Sequence, residues 1–211
     1  MTGFVPTRLV LDWDGTITET DTLELVVRAF GDLEVWRRTG REMGCSLTHD
    51  EAVAIGIASV RAPLATVVDW LCATVRLRAG FHELVAEHAP LVVSSGFCEL
   101  IEPILRREGV RVELVANRVA AESGGWRARF REQPPCAWCG ERCKRAALPP
   151  GPVVYVGDGY SDRCAALAAD RVFATGMLAR ELAARGVAHE PFDDLRQVSA
   201  ALRSSHVRVR A

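Results

Sequence analysis

A chain of 211 residues, 49% hydrophobic and 25% charged, has room for one domain with a sizeable core or one domain carrying an insertion. A net charge of -1 builds in no pull toward nucleic acid or an anionic membrane surface. Seven scattered cysteines, no secretory signal over Met1 to Pro6 and no apolar run near the ~20 residues that span a bilayer point to a cytoplasmic protein with free thiols.

The first element is the apolar run Leu9-Val10-Leu11, read as a buried strand, which ends in Asp12-Trp13-Asp14-Gly15-Thr16. Two carboxylates at the C-terminal end of a strand lie where open α/β sheets bind ligands. Trp13 between them is expected to point away, because side chains alternate along a strand. From residue 21 to 80 the strand pattern disappears. Residues 22–30, 33–43, 49–61 and 63–77 each read as helix, with Thr48 as an N-cap and Pro63 at a first helical position. The block reads as a small helical cap inserted between the first and second strands, with Trp36 and Trp70 in its own core. The expected division is core over 1–20, cap over 21–80 and core over 81–211.

The second strand, Leu91-Val92-Val93, runs into Ser94-Ser95-Gly96 and a helical pattern over 97–108. A hydroxyl at a strand end, followed by small residues opening a helix, offers a phosphate backbone N–H groups and the positive end of a helix dipole. A third strand is expected over 112–115, and alternation on either side of Ser123-Gly124-Gly125 predicts a β-hairpin within 116–133. Cys136, Cys139 and Cys143 follow; they are read as structural thiols, with zinc ligation or a redox pair as alternatives. Lys144 is the only lysine among 26 basic residues, so a position that keeps lysine here needs a compact point charge rather than a planar fork.

Strands over 153–156 and 171–174 complete the series. The first of them ends in Gly157-Asp158-Gly159-Tyr160-Ser161-Asp162, with Ser161 or Asp162 capping a helix over 161–169. Acids from two strand ends together make a hard oxygen site suited to magnesium, which shares its shell with waters and a phosphate. The five histidines show no metal spacing and are read as surface or helix residues, and residues 204–211 as a frayed tail. Apolar strands alternating with helices give an α/β class: a doubly wound, mostly parallel, Rossmann-like sheet with the helical cap inserted.

These elements, in this order, resemble the haloacid dehalogenase superfamily over nearly the whole chain. Its Asp-x-Asp-Gly-Thr loop is matched by Asp12 to Thr16, its strand-end hydroxyl by Ser94, its lysine by Lys144, and its Gly-Asp-x-x-x-Asp by Gly157, Asp158 and Asp162. The helical insertion is similar to the branch that holds phosphoserine phosphatase and the phosphatase of methionine salvage. The resemblance implies magnesium-dependent hydrolysis of a small phosphorylated metabolite. Asp12 would be the nucleophile that becomes an aspartyl-phosphate and Asp14 the general acid and base, a second acid that dehalogenation does not need. Ser94 and Lys144 would bind phosphoryl oxygens, with Thr16, Ser95 and Gly96 completing the substrate-binding set. Mg2+ would be held by Asp12, Asp158 and the backbone carbonyl of Asp14, with Asp162 orienting the shell. Neither nucleic acid nor membrane is implied as a partner, and the chain would act as monomer or homodimer. A phosphotransferase or mutase using the same aspartyl-phosphate is the alternative; a non-catalytic binding protein would normally have lost one of these acids.

Overall fold

Alternation along the first strand sets the architecture. In the computed structural model, which describes residues 7–207, Val10 packs with Leu91, Val93, Val153 and Tyr155, whereas Leu9, Leu11 and Trp13 belong to the larger cluster on the opposite side. A strand apolar on both faces is stable only between two layers of helices.

The chain runs β1 (Arg8–Leu11), α1 (Thr22–Phe30), α2 (Leu33–Glu42), α3 (His49–Ile57), α4 (Leu64–Thr74), α5 (Phe81–His88), β2 (Leu91–Phe97), α6 (Cys98–Arg107), β3 (Glu113–Glu122) and β4 (Gly125–Arg129). It continues through β5 (Val153–Gly157), α7 (Arg163–Ala166), β6 (Arg171–Ala174), α8 (Gly176–Ala184), β7 (Glu190–Pro191) and α9 (Leu195–Val207), with 3-10 turns at Lys144–Ala147 and Tyr160–Asp162. The strands form one sheet in the order β4-β3-β2-β1-β5-β6-β7. All neighbours are parallel except β3 and β4. The fold is therefore α/β and mostly parallel, as the apolar strand runs implied. No helix among the described residues is long and apolar enough to cross a membrane.

Helices α1 to α4 all fall between β1 and β2. The chain leaves and re-enters the sheet through two adjacent strands of linker. Glu19 N–H donates to the Arg76 carbonyl (3.1 Å), Arg78 N–H donates to the Ile17 carbonyl (2.7 Å), and Thr18 bridges Leu77. The helix block is thus stitched to the sheet at its neck. A second anchor comes from the β3–β4 hairpin, whose tight turn at Ser123-Gly124 reaches the link between α3 and α4. Trp126 donates its backbone N–H to the Val60 carbonyl (3.1 Å) and its indole N–H to the Ala62 carbonyl (2.8 Å). Gly125, at φ +121°, approaches so closely that a Cβ would lie 2.2 Å from the Ala58 carbonyl oxygen.

Several elements depart from the sequence reading. The strand at 112–115 and the first hairpin strand are one element, β3, which pairs parallel with β2 and then antiparallel with β4. α3 stops at Ile57 rather than 61; the Ser59 hydroxyl donates to the Gly56 carbonyl (2.7 Å) and closes the helix end. The helix expected over 161–169 shrinks to α7 behind a 3-10 turn, because the Asp162 carboxylate accepts the N–H groups of Asp158 (3.0 Å) and Gly159 (2.9 Å) and winds that turn tight. α5, α8 and α9 were not anticipated. α9 continues through Val207, so the first part of the tail read as frayed is helical, held by Leu195, Val198 and Leu202 in the core. Residues 1–6 and 208–211 lie outside the described residues.

Trp126 is buried and fixes the hairpin to the helix block through its ring and its N–H. Trp126→Ala is expected to lower unfolding stability by about 3–5 kcal/mol, measured by denaturant titration followed by circular dichroism.

Candidate active site

β1 extends its pairing by one residue, with Asp12 N–H donating to the Val156 carbonyl (2.9 Å), so Asp12 stands at the carboxyl edge of the sheet. The chain then coils around a single acceptor. The N–H groups of Thr16 (3.4 Å), Ile17 (2.9 Å) and Thr18 (3.0 Å) and the Thr18 hydroxyl (3.1 Å) all point at the Trp13 carbonyl. That coil turns Asp14 toward α1, where its Oδ1 accepts both the N–H (2.8 Å) and the hydroxyl of Thr22. Gly15 sits at φ +73°, and a Cβ there would meet Asp158 Oδ2 at 2.3 Å, so the turn requires glycine both for its dihedral and for its space. Arg78 clamps the loop from below, donating to the carbonyls of Gly15 (2.6 Å) and Thr16 (2.9 Å).

Asp158 and Asp162 arrive from the end of β5. Asp162 is fully buried, and its two oxygens accept four donors: Lys144 Nζ (2.7 Å), the Tyr155 hydroxyl (2.6 Å) and the two N–H groups of Asp158 and Gly159. Lys144, from the 3-10 turn after the cysteine segment, donates from Nζ to Asp12 as well as to Asp162. Carboxylate oxygens of Asp12, Asp158 and Asp162 lie within 4.8 Å of one another.

The electrostatics follow from burial. Burial, reinforced by the charge of Asp162, pushes Asp12 well above the usual carboxylate range. Burial would pull Lys144 down, but Asp12 and Asp162 hold it above its ordinary value. For Asp162 burial is outweighed by Lys144, and its carboxyl stays below the usual range. Burial and then Asp162 raise Asp158 to about 6, while burial and then Asp21 raise Asp14 to about 7. Three carboxylates share one ammonium in a low-dielectric site, which leaves excess negative charge that a hard divalent cation would neutralise. The donor set fits such an ion. Asp12 commits Oδ1 to Lys144 and Asp158 commits Oδ1 to the Thr16 hydroxyl (3.0 Å), so each retains an oxygen.

These groups floor a cavity of about 290 Å³. Asp12, Asp14, Lys144, Asp158, Ser95 and Gly96 lie at its base, and Leu23, Trp36, Met43, Ala52 and Val53 from α1 to α3 and the segment after α2 line its wall. The strand end that carries Ser94 is bulged: Val93 pairs with Val115 and Phe97 with Asn117, so the intervening Ser94-Ser95-Gly96 is pushed out of register. Ser94 itself is buried beneath the cavity lining, with its hydroxyl accepting the Gly96 N–H (2.9 Å). Thr16 is also outside the lining, supporting Asp158 from behind. Of the expected substrate-binding set, the structure brings Ser95, Gly96 and Lys144 to the cavity and sets Thr16 and Ser94 one layer below.

One aromatic reading changes. Trp13 is buried in the core, as alternation required, but Trp36 lines the cavity instead of serving only as core of the helix block. Gly56 makes room for it; a Cβ there would fall 2.3 Å from the Trp36 ring. Trp70 does pack internally, edge-on to Phe30 at 5.2 Å. His49 is the first residue of α3, as the reading of a surface or helix residue allowed; it also lines the cavity and stacks on Tyr160, whose hydroxyl donates to Glu141 (3.0 Å). The clamp of Arg78 on two loop carbonyls has no local sequence signature.

The family model of haloacid dehalogenase-like hydrolases matches residues 9–167. The 2-hydroxy-3-keto-5-methylthiopentenyl-1-phosphate phosphatase of Exiguobacterium sp. is 27% identical, over 95% of this chain and 99% of its own length. The protein of the same name from Geobacillus kaustophilus is 29% identical, over 94% of this chain and 96% of its own. Among solved structures, a phospho-aspartyl intermediate analogue of phosphoserine phosphatase superposes with a TM-score of 0.71 at 18% identity, covering 93% of this chain and 99% of that one. A substrate-bound phosphoserine phosphatase gives 0.70 at 17% identity, covering 94% and 99%.

Among the described residues Lys144 is the one cation within this buried acidic cluster. Lys144→Met is expected to leave uncompensated carboxylates and cost about 3–5 kcal/mol of stability in metal-free buffer, read as a lower urea midpoint. An unchanged midpoint would show that the acids neutralise themselves.

Proposed function

From the premise that the chain belongs to the haloacid dehalogenase-like hydrolases and is a phosphatase of that family, we propose that it hydrolyses a small phosphomonoester through an aspartyl-phosphate on Asp12. The observation that carries this reading is the convergence on one cavity floor of the Asp12 carboxylate, the Asp14 carboxyl, the Lys144 ammonium and the Asp158 carboxylate.

In the first step an Asp12 oxygen bonds to phosphorus as the ester P–O bond breaks, and Asp14 gives its proton to the departing alkoxide. In the second, Asp14 takes a proton from water as the water oxygen attacks the acyl phosphate, returning Asp12 and free phosphate. A carboxyl held at about 7 suits both duties, since both its protonation states are populated at neutral pH. Thr22 engages Asp14 Oδ1 and fixes the side chain, leaving Oδ2 over Gly96, where a Cβ would stand only 3.2 Å away. The small residue there keeps space for the leaving oxygen. Lys144 offsets the repulsion between an anionic nucleophile and an anionic phosphate. Magnesium, held by Asp12, Asp158 and the Asp14 carbonyl, would supply further neutralisation of phosphoryl charge. Asp162, with both oxygens engaged by four donors, acts by orienting Lys144 and the Asp158 turn rather than as a ligand. Thr16 positions Asp158, and Ser94 shapes the bulge by accepting the Gly96 N–H and so sets Ser95 at the cavity floor.

The helix block acts as a cap whose inner wall reads the leaving group. That wall is mainly apolar, and Lys144 is the only lysine or arginine in the cavity lining among the described residues. A leaving group with its own carboxylate finds no guanidinium there. The wall suits a short apolar or thioether chain, consistent with the methylthiopentenyl phosphate for which the relatives from Exiguobacterium sp. and Geobacillus kaustophilus are named. Seven free thiols suit a reducing, cytoplasmic setting.

Phosphate release from a panel of phosphomonoesters is expected to require magnesium, to vanish in chelator and to return when magnesium is restored. Members with apolar or thioether leaving groups should exceed phosphoserine; the reverse order would overturn the reading of the wall. Asp12→Asn should abolish turnover, and Asp14→Asn should reduce it by about 10²–10⁴-fold with the fold intact.

A further inference from the structure

The segment that delivers Lys144 has almost no core of its own. Between the end of β4 at Arg129 and the start of β5 at Val153 the only regular element is the 3-10 turn at Lys144–Ala147. No residue from 136 to 143 is buried, and Trp138 is 77% exposed. Yet Lys144, the next residue, is 1% exposed and must be held within hydrogen-bonding reach of two carboxylates. Hydrophobic burial does not account for the order of this loop.

Four thiols do. Cys136, Cys139 and Cys143 of the loop meet Cys164 of α7, with all four Sγ atoms within 4.8 Å of one another. The Cys136 and Cys164 sulfurs are 3.7 Å apart, far beyond a disulfide bond, and all four cysteines are free. A tetrahedral zinc ion with Zn–S bonds of about 2.3 Å sets its ligand sulfurs about 3.8 Å apart. The local backbone is also shaped for it. Cys136-Ala137-Trp138-Cys139-Gly140 forms a turn in which Gly140, at φ +74°, donates its N–H to the Cys136 carbonyl (2.8 Å). The Trp138 N–H points at Cys136 Sγ (3.5 Å), an outer-layer donor to a thiolate. Four thiolates around Zn2+ carry a net charge of 2−, and the groove beside them is lined by Arg142, Arg145, Arg163 and Arg185.

We propose that Cys136, Cys139, Cys143 and Cys164 hold one structural zinc ion that fastens the Lys144 loop to α7. As four Zn–S bonds form, four S–H protons pass to solvent. The placement gives the ion a second consequence. Cys143 immediately precedes Lys144, and Cys164 lies two residues after Asp162, so a ligand stands beside each partner of that ion pair. The metal fixes where the lysine sits without touching the cavity floor. It is a thiolate site, distinct in chemistry and location from the carboxylate site proposed for magnesium, and it stands whether or not the phosphatase reading holds.

The full chain, purified with reductant and supplied with zinc, is expected to retain one zinc per chain after dialysis, measured by elemental analysis. Asp12→Asn should keep that zinc; Cys164→Ser should lose it. Because a cysteine variant can fail for want of folding, two readouts use the wild-type chain. Cobalt exchange should give the visible bands of a tetrahedral thiolate site. Alkylation mapped by mass spectrometry should spare the four cluster cysteines while labelling exposed Cys45, and zinc removal should open all four to labelling. No retained zinc and no cobalt–thiolate bands, equal labelling with and without zinc, or a disulfide within the cluster of the reduced protein would each overturn the proposal.

Discussion

One buried ammonium organises this protein. Lys144 donates to Asp12 and to Asp162, residues 132 and 18 positions away in the chain, from a buried position at the base of the cavity. Without a counter-charge, neither carboxylate would be tolerated ionised at that depth. The pairing therefore dictates the layout around it. β1 and β5 must be neighbours so that their ends meet, and Asp162 must fold back onto the backbone of its own turn. The loop bearing Lys144 must be held at the strand ends by something other than a core, and the sulfur cluster beside it answers that demand.

The rest of the molecule divides labour around this centre. The sheet supplies charge and geometry from strand ends, where backbone direction and tight glycine turns are fixed by pairing. The inserted helices supply the apolar wall above it. They are stitched to the sheet by the paired linkers at residues 17–19 and 76–78 and braced by Trp126 at the end of the hairpin. Because Arg78 belongs to one of those linkers and holds the carbonyls of Gly15 and Thr16, the neck of the helix block and the loop of proposed catalytic acids are one mechanical unit.

Much of this was legible along the chain because it is local. Apolar runs such as Val153-Val154-Tyr155-Val156 have no face left for water, so they had to be central strands. Asp12, Asp14, Asp158 and Lys144 were legible because each follows a strand or stands out in composition, and Thr48 because its capping box needs only residues within one helical turn. Short helices with mixed faces, α5 and α8, carry too weak a periodicity to read without the sheet they cover.

The sequence by itself determined the central apolar strands, the helical block between the first two of them and the acids at the strand ends, all properties set within a few residues by backbone geometry and side-chain alternation. Tertiary structure decided what those residues meet. It withdrew Thr16 and Ser94 beneath the cavity, turned Trp36 and His49 into its wall, filled both oxygens of Asp162 and brought Cys164 to three cysteines more than twenty residues earlier. Such meetings depend on which faces pack across the sheet and the helix block, and that is fixed only when the whole chain has closed on its core.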